Sequence, residues 1–205
     1  MSNQHDEAVA YLRARDRRLA RIIDRVGACR LTFRRSGTHF EALCRAIAYQ
    51  QVTGAAAATI FGRLRALGEG GRFPTATRVL DLGDARLRSA GLSRQKAAAI
   101  RDLAEKTTSG VVSLARLGSM ESDAVIETLT QVRGVGVWTA EMLLLFRLAR
   151  PDVLSATDYG IRKGVMVVDA RRELPSPKEV TERGVVWSPY RSVASWYLWR
   201  AAELK

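Results

Sequence analysis

Apolar residues recur at three- and four-residue spacing along almost the whole chain, and this periodicity restricts the possible folds more than any other feature. Between Asp6 and Val26, for example, the apolar positions fall at helical spacing and Arg occupies the outer face. The alternation of apolar and polar residues that is typical of a half-buried strand is almost absent. The pattern predicts an all-α fold of roughly ten helices.

Glycine and proline divide this helical pattern into separate elements. A loop is predicted at 68–74, and breaks between short helices are predicted at Gly83 and Gly91. Thr38 is predicted to cap the helix that follows it. Two further helices are predicted to begin at a Ser-Pro pair, Ser176-Pro177 and Ser188-Pro189.

The size and charge of the chain restrict its class of partner. With 205 residues, 47% of them hydrophobic, the chain can bury a core without disulfides or metals. Lys and Arg outnumber Asp and Glu by 33 to 21, which gives a formal net charge of +12. This excess predicts a polyanionic partner, and DNA or RNA fits better than a membrane because no apolar run approaches the length of a span. No signal-peptide pattern opens the sequence, so a cytoplasmic location is expected.

The two cysteines and two histidines are not arranged as metal ligands. Cys29 and Cys44 lie far apart in apolar surroundings, and neither they nor His5 and His39 have metal-ligand spacing. Both cysteines are predicted to be buried thiols. Two cysteines are too few for an iron–sulfur cluster.

A Gly-Val-Gly turn joins two helical segments at about 121–149. Gly134 and Gly136 permit a left-handed turn, and Thr139 is predicted to open the second helix. The N–H groups at the start of such a helix bind an anion such as phosphate without a basic side chain. The same Gly-x-Gly also fits a purely structural role, because Gly is a common helix stop. The following residues, 142–146, are apolar on every side and are predicted to run through the core.

Four motifs in a fixed order extend this observation. The hairpin block at 129–146 is followed at 155–159 by Ser-Ala-Thr-Asp-Tyr, and three further segments stand at 40–52, 91–97 and 187–192. Together they resemble the helix-hairpin-helix (HhH-GPD) DNA glycosylase superfamily, and in particular its DNA-3-methyladenine glycosylase II branch. The resemblance covers about residues 38–200. It implies a compact two-lobed helical fold, a single glycosylase domain over 1–205 and no N-terminal β domain.

The resemblance implies a monofunctional enzyme of base-excision DNA repair. Such an enzyme flips a nucleotide and hydrolyses the N-glycosidic bond of alkylated purines such as 3-methyladenine and 7-methylguanine. Asp158 would be the catalytic carboxylate, which stabilises the oxocarbenium-like sugar and aligns the attacking water. An Asp directly before a helix is also its natural N-cap. Trp138 stands where strand-cutting relatives carry a Lys, so no AP-lyase activity is expected.

The resemblance also assigns a base pocket and DNA contacts. Met142 replaces an aromatic residue of the family's pocket, and Arg133 stands where the family's hairpin often has Pro. Gln51 is the implied wedge that enters the duplex, and Trp187 is predicted to be core. The implied pocket residues are Tyr49, Trp138, Met142, Tyr159 and Trp199, with Trp196 as a neighbour. The implied DNA contacts are Gln50, Gln51, Arg133, Gly134, Gly136 and Thr139.

The implied cofactor is at most one ion. Backbone carbonyls of Thr130, Val132 and Val135 would hold a structural monovalent cation at the hairpin, and no other cofactor is required. The implied partner is double-stranded DNA that contains alkylated bases. The protein is expected to be a monomer associated with the bacterial nucleoid.

Two other functions remain open at this point. The chain could be a non-catalytic helix-hairpin-helix DNA-binding protein, or a glycosylase for a neutral lesion such as hypoxanthine or uracil. Asp158 separates the first of these from an enzyme, because a carboxylate near phosphates would repel the ligand of a simple binding module.

Overall fold

Helices form all the regular structure of the computed structural model, which describes residues 5–34 and 36–204. This part of the chain contains no β-strand, so the all-α prediction is confirmed. Short 3-10 helices occupy Leu114–Ser119 and Val185–Trp187. The α-helices are α1 Asp6–Arg15, α2 Arg17–Val26, α3 His39–Tyr49, α4 Gly54–Arg65, α5 Ala76–Ser89, α6 Arg94–Thr108, α7 Ser122–Thr130, α8 Val137–Phe146, α9 Tyr159–Val168, α10 Pro177–Gly184 and α11 Arg191–Glu203.

The helices form two compact units. The continuous unit is Arg34–Leu148 and contains α3 to α8. The split unit combines the residues up to Phe33 with those from Ala149 onward, so it contains α1, α2 and α9 to α11. The two predicted lobes are therefore confirmed. That the two units form a single domain stays a prediction.

In the continuous unit, α3 packs against α4, α6 and α8, and α5 packs against α6. The apolar face of α3 is fully buried at Leu43, Cys44 and Ile47. Its polar start is capped as predicted, because the Thr38 side chain accepts a hydrogen bond from the Glu41 N–H. The predicted break at Gly83 is also confirmed, since its φ of +69° interrupts α5.

In the split unit, α11 packs against α9 and α2, and the Trp187 side chain is completely buried as predicted. The predicted helical stretch from Asp6 to Val26 is interrupted at Asp16. The Asp16 carboxylate accepts the N–H groups of Arg18 and Leu19 at 3.0 and 3.1 Å, so it caps a second helix. It also accepts the Trp187 indole N–H at 2.8 Å.

The predicted helix start at Ser188-Pro189 differs from the structure. α11 begins at Arg191, beyond the Ser188-Pro189 pair. Tyr190 is the N-cap residue of α11, and the Ser188 hydroxyl donates to the Asp152 carboxylate at 2.9 Å. The Ser176-Pro177 start is confirmed, with a complete capping box at α10.

The two ends of the continuous unit are fastened together. The Arg34 N–H donates to the Phe146 carbonyl at 2.8 Å. The Arg147 guanidinium donates to the carbonyls of Arg34 and Ser36 at 2.7 and 2.9 Å, and also to the Gly37 carbonyl. We call this set of bonds the Arg147 strap.

Candidate functional site

The turn between α7 and α8 has the left-handed geometry predicted for one of its two glycines. Gly134 has φ of +73°, and a Cβ built there would lie 3.2 Å from the Cβ of Ala99 on α6. The Val135 N–H closes the turn on the Val132 carbonyl at 3.0 Å. Gly134 therefore meets both a conformational and a steric requirement.

The second glycine of the turn, Gly136, is not left-handed. Its φ of −92° and ψ of 174° are extended, and it is the N-cap residue of α8. A Cβ built on Gly136 meets no atom within 4 Å, so open space lies in front of the helix start. Gly136 is not needed for a left-handed turn. What its missing side chain leaves clear is access to the N-terminus of α8.

The prediction that Thr139 opens the second helix is wrong, because α8 begins at Val137. The first bond of α8 runs from the Ala140 N–H to the Gly136 carbonyl at 3.1 Å, so an extended glycine replaces a capping hydroxyl. Thr139 is only 4% exposed. Thr139 is therefore largely buried, and its contact with DNA stays a prediction.

Three side chains from other elements hold the peptide groups of the turn. Gln50 Nε2 donates to the Gly134 carbonyl at 2.9 Å, and Lys106 Nζ donates to the Gln131 carbonyl at 2.7 Å. Asp102 Oδ2 accepts the Arg133 N–H at 2.7 Å. Sequence analysis missed Asp102 and Lys106. The only signal available was their i,i+4 spacing, which predicts an ion pair and not a contact with the hairpin.

Gln51 directly follows the residue that binds the turn. It is exposed and has φ of +53°, a conformation that is uncommon for residues other than Gly. Its neighbour Gln50 is held by Gly134, so the chain turns sharply at Gln51. This geometry agrees with a wedge residue, and the assignment of Gln51 as the wedge stays a prediction.

A cavity of about 820 Å³ brings together most of the predicted residues of the continuous unit. Trp138, one of its walls, is 44% exposed. Met142 and Phe146 also line it. These two residues are therefore not fully enclosed, whereas the sequence predicts that 142–146 runs through the core. The predicted residues that share this cavity are Tyr49, Gln50, Gln51, Trp138, Thr139 and Met142.

The cavity lining carries an excess of positive charge. The Arg45 guanidinium lies 3.9 Å above the Tyr49 ring and 5.6 Å from the Phe61 ring centroid. Burial lowers the pKa of Arg45, and the nearby charge of Arg34 lowers it further. Glu41 is paired with Arg65. Arg45 and Arg34 therefore give this end of the cavity a positive potential.

Asp158 lies in the split unit at the start of α9. Its Oδ1 accepts two hydrogen bonds, one from the Ile161 N–H at 2.8 Å and one from Trp199 Nε1 at 2.9 Å. The capping role considered from the sequence is therefore present. The indole donor shows that the carboxylate is also oriented by a side chain outside its own helix.

Gly160 makes that second contact possible. A Cβ built on Gly160 would lie 2.8 Å from Trp199 Cδ1 and 3.1 Å from Asp158 Oδ1. Real Cβ atoms do not approach so closely, so only glycine allows the indole to reach the carboxylate. Tyr159, beside them, is 66% exposed. Sequence analysis assigned no role to Gly160, since its reason is a contact with a residue on another helix.

Comparison with known proteins agrees with this geometry. The pattern that describes the HhH-GPD superfamily of base excision DNA repair proteins matches residues 44–189. The chain belongs to this superfamily. It is 36% identical over 166 residues to DNA-3-methyladenine glycosylase 1 of Schizosaccharomyces pombe, an alignment that covers 80% of this chain and 73% of the relative.

Two solved structures of the 3-methyladenine branch are similar along nearly the whole chain. The 3-methyladenine DNA glycosylase of S. pombe in complex with abasic DNA has a TM-score of 0.84 and 34% identity, over 97% of both chains. The DNA-3-methyladenine glycosidase of Bacillus halodurans has a TM-score of 0.85 and 36% identity, over 95% of this chain and 88% of that one. This HhH-GPD protein therefore falls in the 3-methyladenine glycosylase branch, as the motifs predict.

The carbonyls implied to hold a monovalent cation belong to the hairpin of this HhH-GPD protein. The Val132 carbonyl already accepts the Val135 N–H at 3.0 Å. A carbonyl oxygen has a second lone pair, so Val132 can still join Thr130 and Val135 as a ligand. The donor set thus fits a cation, and its presence stays a prediction.

Over 5–34 and 36–204, no group of three or more His, Cys, Asp or Glu side chains is placed to bind a metal. Cys29 and Cys44 are buried thiols that form no disulfide, as predicted, and burial raises the pKa of Cys29 to about 11. No helix in the described part of the chain is long and apolar enough to span a membrane.

Proposed function

We propose that this protein is a DNA glycosylase of base-excision repair that hydrolyses the N-glycosidic bond of alkylated purines, above all 3-methyladenine. The observation that carries the proposal is the Asp158 carboxylate, oriented by Ile161 and Trp199 in a chain of the 3-methyladenine branch. In a module that only binds DNA, this carboxylate would serve only as the N-cap of α9. The names of the S. pombe and B. halodurans relatives support the same substrate class.

Asp158 is sufficient for the chemistry of a cationic lesion. A base alkylated at N3 or N7 carries positive charge and leaves as a neutral molecule, so its departure needs no proton donor. The electrons of the broken bond go to the base, and the sugar becomes an oxocarbenium ion. The Asp158 carboxylate would stabilise that ion and align the water that attacks it.

The hairpin supplies a grip on the DNA backbone. The α8 N-terminus opens onto clear space at Gly136, and helix N-termini bind phosphate through N–H groups and the helix dipole. Such a contact carries no base information, so it positions the enzyme on any sequence. A monovalent cation on the carbonyls of Thr130, Val132 and Val135 would add positive charge beside the same phosphate.

We propose that the cavity of the continuous unit receives the flipped base. Trp138 and Tyr49 offer aromatic surface for stacking, and the Met142 side chain forms part of the cavity wall. The indole face of Trp138 attracts a cationic base by about 0.5–2 kcal/mol. Gln51 would fill the gap that the flipped nucleotide leaves in the duplex.

One observation favours a second substrate class. Arg45 lies over Tyr49 inside the cavity, and its charge would repel a cationic base placed beside it. Its guanidinium donors suit a neutral lesion with an acceptor, such as the O6 atom of hypoxanthine. An Arg45→Gln variant would shift the ratio of excision rates toward 3-methyladenine if this second class is a natural substrate.

A panel of single-lesion duplexes tests the proposal. Excision of 3-methyladenine and 7-methylguanine is expected, followed by strand breakage only after alkali or heat. Because Trp138 occupies the position of the lyase Lys, borohydride should trap no covalent enzyme–DNA adduct. Absence of base release from every lesion in the panel would overturn the proposal. We further propose that the enzyme acts as a monomer on chromosomal DNA in the cytoplasm.

A further inference from the structure

We propose that Asp102 and Lys106 are positioning residues for DNA binding, which hold the hairpin turn in its phosphate-binding conformation from outside the hairpin. The inference rests on the proposed DNA-binding function. It adds a role for two α6 residues that belong to neither the cavity nor the Asp158 centre.

The two side chains form hydrogen bonds with consecutive peptide groups of the turn. Lys106 Nζ donates to the Gln131 carbonyl at 2.7 Å, and Asp102 Oδ2 accepts the Arg133 N–H at 2.7 Å. Lys106 also donates to both Asp102 oxygens, at 2.9 and 2.7 Å. The pair thus fixes the peptide planes on both sides of Val132, two residues before the left-handed Gly134.

The pair is built as a partly shielded unit. The side chains of Asp102 and Lys106 are only 24% and 28% exposed. Burial alone would raise the pKa of Asp102, and the hydrogen bonds from Lys106 and the Arg133 N–H outweigh that effect, so the pKa lies below its ordinary value. Asp102 therefore stays a carboxylate, and charge-assisted bonds of this kind are stronger than neutral ones.

The sign of the charge makes the inference testable. Asp102 places a negative charge beside a turn that must approach phosphates. If only electrostatics mattered, removing this charge would tighten DNA binding. If Asp102 positions the turn, removing it weakens binding although the protein becomes more basic.

The experiment compares Asp102→Ala with Asp84→Ala. Asp84 is a matched control, because it forms an ion pair with another α6 residue, Arg101, at 3.2 Å and does not contact the hairpin. Affinity is measured for an undamaged duplex and for a duplex with an abasic-site analogue. Asp102→Ala should bind both about tenfold more weakly, as expected for loss of a hydrogen bond to a charged group, whereas Asp84→Ala should bind at least as tightly as the wild type.

Two further measurements separate positioning from catalysis and from misfolding. The single-turnover excision rate at saturating enzyme should change less than about twofold in Asp102→Ala, because the variant loses affinity and not chemistry. Asp102→Asn keeps an oxygen that can accept the Arg133 N–H, so its affinity should fall between those of the wild type and Asp102→Ala. If the Ala variant does not fold, Asp102→Asn and Lys106→Ala should each show faster amide hydrogen exchange at 131–136.

Each failure has a separate meaning. A wild-type protein that does not bind the duplexes would overturn the proposed function itself. A wild-type protein that binds, together with an Asp102→Ala variant that binds equally well or better, would overturn this inference alone. A lower single-turnover rate at saturating enzyme with unchanged DNA affinity would also overturn it. So would an unchanged rate of amide hydrogen exchange at 131–136 in both Asp102→Asn and Lys106→Ala.

Discussion

At the scale of single residues, Asp158 shows how one carboxylate oxygen can serve a helix and a side chain at once. Its Oδ1 accepts the Ile161 N–H of its own helix and the indole N–H of Trp199. Two donors on one oxygen fix the rotation of the carboxylate. For a group that must stabilise charge in a transition state, this fixed orientation removes a cost of reorganisation during the reaction.

Asp158→Asn should separate the two roles of this residue. Asn is as good an N-cap as Asp, so the melting temperature and the DNA affinity should stay close to those of the wild type. The negative charge is lost, so single-turnover excision should slow by about a hundredfold or more. Excision at nearly the wild-type rate in a folded variant would refute the catalytic assignment.

Trp199→Phe should reduce excision by about tenfold, because it removes the donor that orients Asp158. Gly160→Ala should have a similar effect, since its new methyl group would lie 2.8 Å from Trp199 Cδ1 and push the indole away from Asp158. The double variant should be little worse than either single one, because both changes break one contact. Full additivity of the two losses in single-turnover assays would show that Gly160 and Trp199 act independently.

At the scale of elements, the hairpin uses its two glycines for different reasons. Gly134 needs a left-handed backbone and the space above Ala99, whereas Gly136 is extended and faces open space. The same substitution should therefore have different consequences at the two positions.

A pair of serine variants checks this difference. Gly134→Ser should lose about 1–2 kcal/mol of unfolding free energy, because a side chain is strained at a φ of +73°. Gly136→Ser should keep its stability, since serine is a favourable N-cap, and should bind all DNA sequences more weakly because the side chain obstructs the phosphate. Denaturant unfolding and binding to two unrelated duplexes measure both effects. Equal loss of stability in the two variants would contradict the assignment.

The Asp16 cap between α1 and α2 predicts a pH dependence of stability. Burial would raise the pKa of Asp16, but the Leu19 N–H, Trp187 and Arg183 outweigh it and hold the pKa below its ordinary value of 3.8. The carboxylate therefore stabilises the fold above that value, and this contribution is lost as the pH falls through the lowered pKa. The unfolding free energy of Asp16→Asn should lie below that of the wild type at pH 7. The difference between the two should shrink as the pH falls below 3.8, and a difference independent of pH would exclude this role.

At the scale of the whole molecule, the net charge of +12 predicts strongly salt-dependent binding. Each phosphate that the protein neutralises releases counterions, so the logarithm of the affinity should fall linearly with the logarithm of the salt concentration. Titration of an undamaged duplex at several salt concentrations gives the slope. A salt-independent affinity would contradict binding through phosphates.

The sequence predicts those features that side-chain pattern determines. Apolar spacing predicts the helices, and the capping residues Thr38 and Ser176 predict two helix starts. Contacts between a side chain and a distant backbone group leave no such pattern, and for this reason Asp102 and Lys106 were missed. The identity of a glycine also does not reveal its purpose, so the sequence does not show which glycine of the hairpin is left-handed, and it assigns no role to Gly160.

The Arg147 strap has a consequence for the architecture of the chain. Because it joins Arg34, Ser36 and Gly37 to Phe146 and Arg147, the continuous unit begins and ends at one place. In topological terms Arg34–Leu148 is an insertion into the split unit, and its closed ends make it a cassette. Exchanging this cassette between relatives would transfer the hairpin, the proposed wedge residue Gln51 and the cavity together. The carboxylate of Asp158 and its indole partner would stay behind in the host.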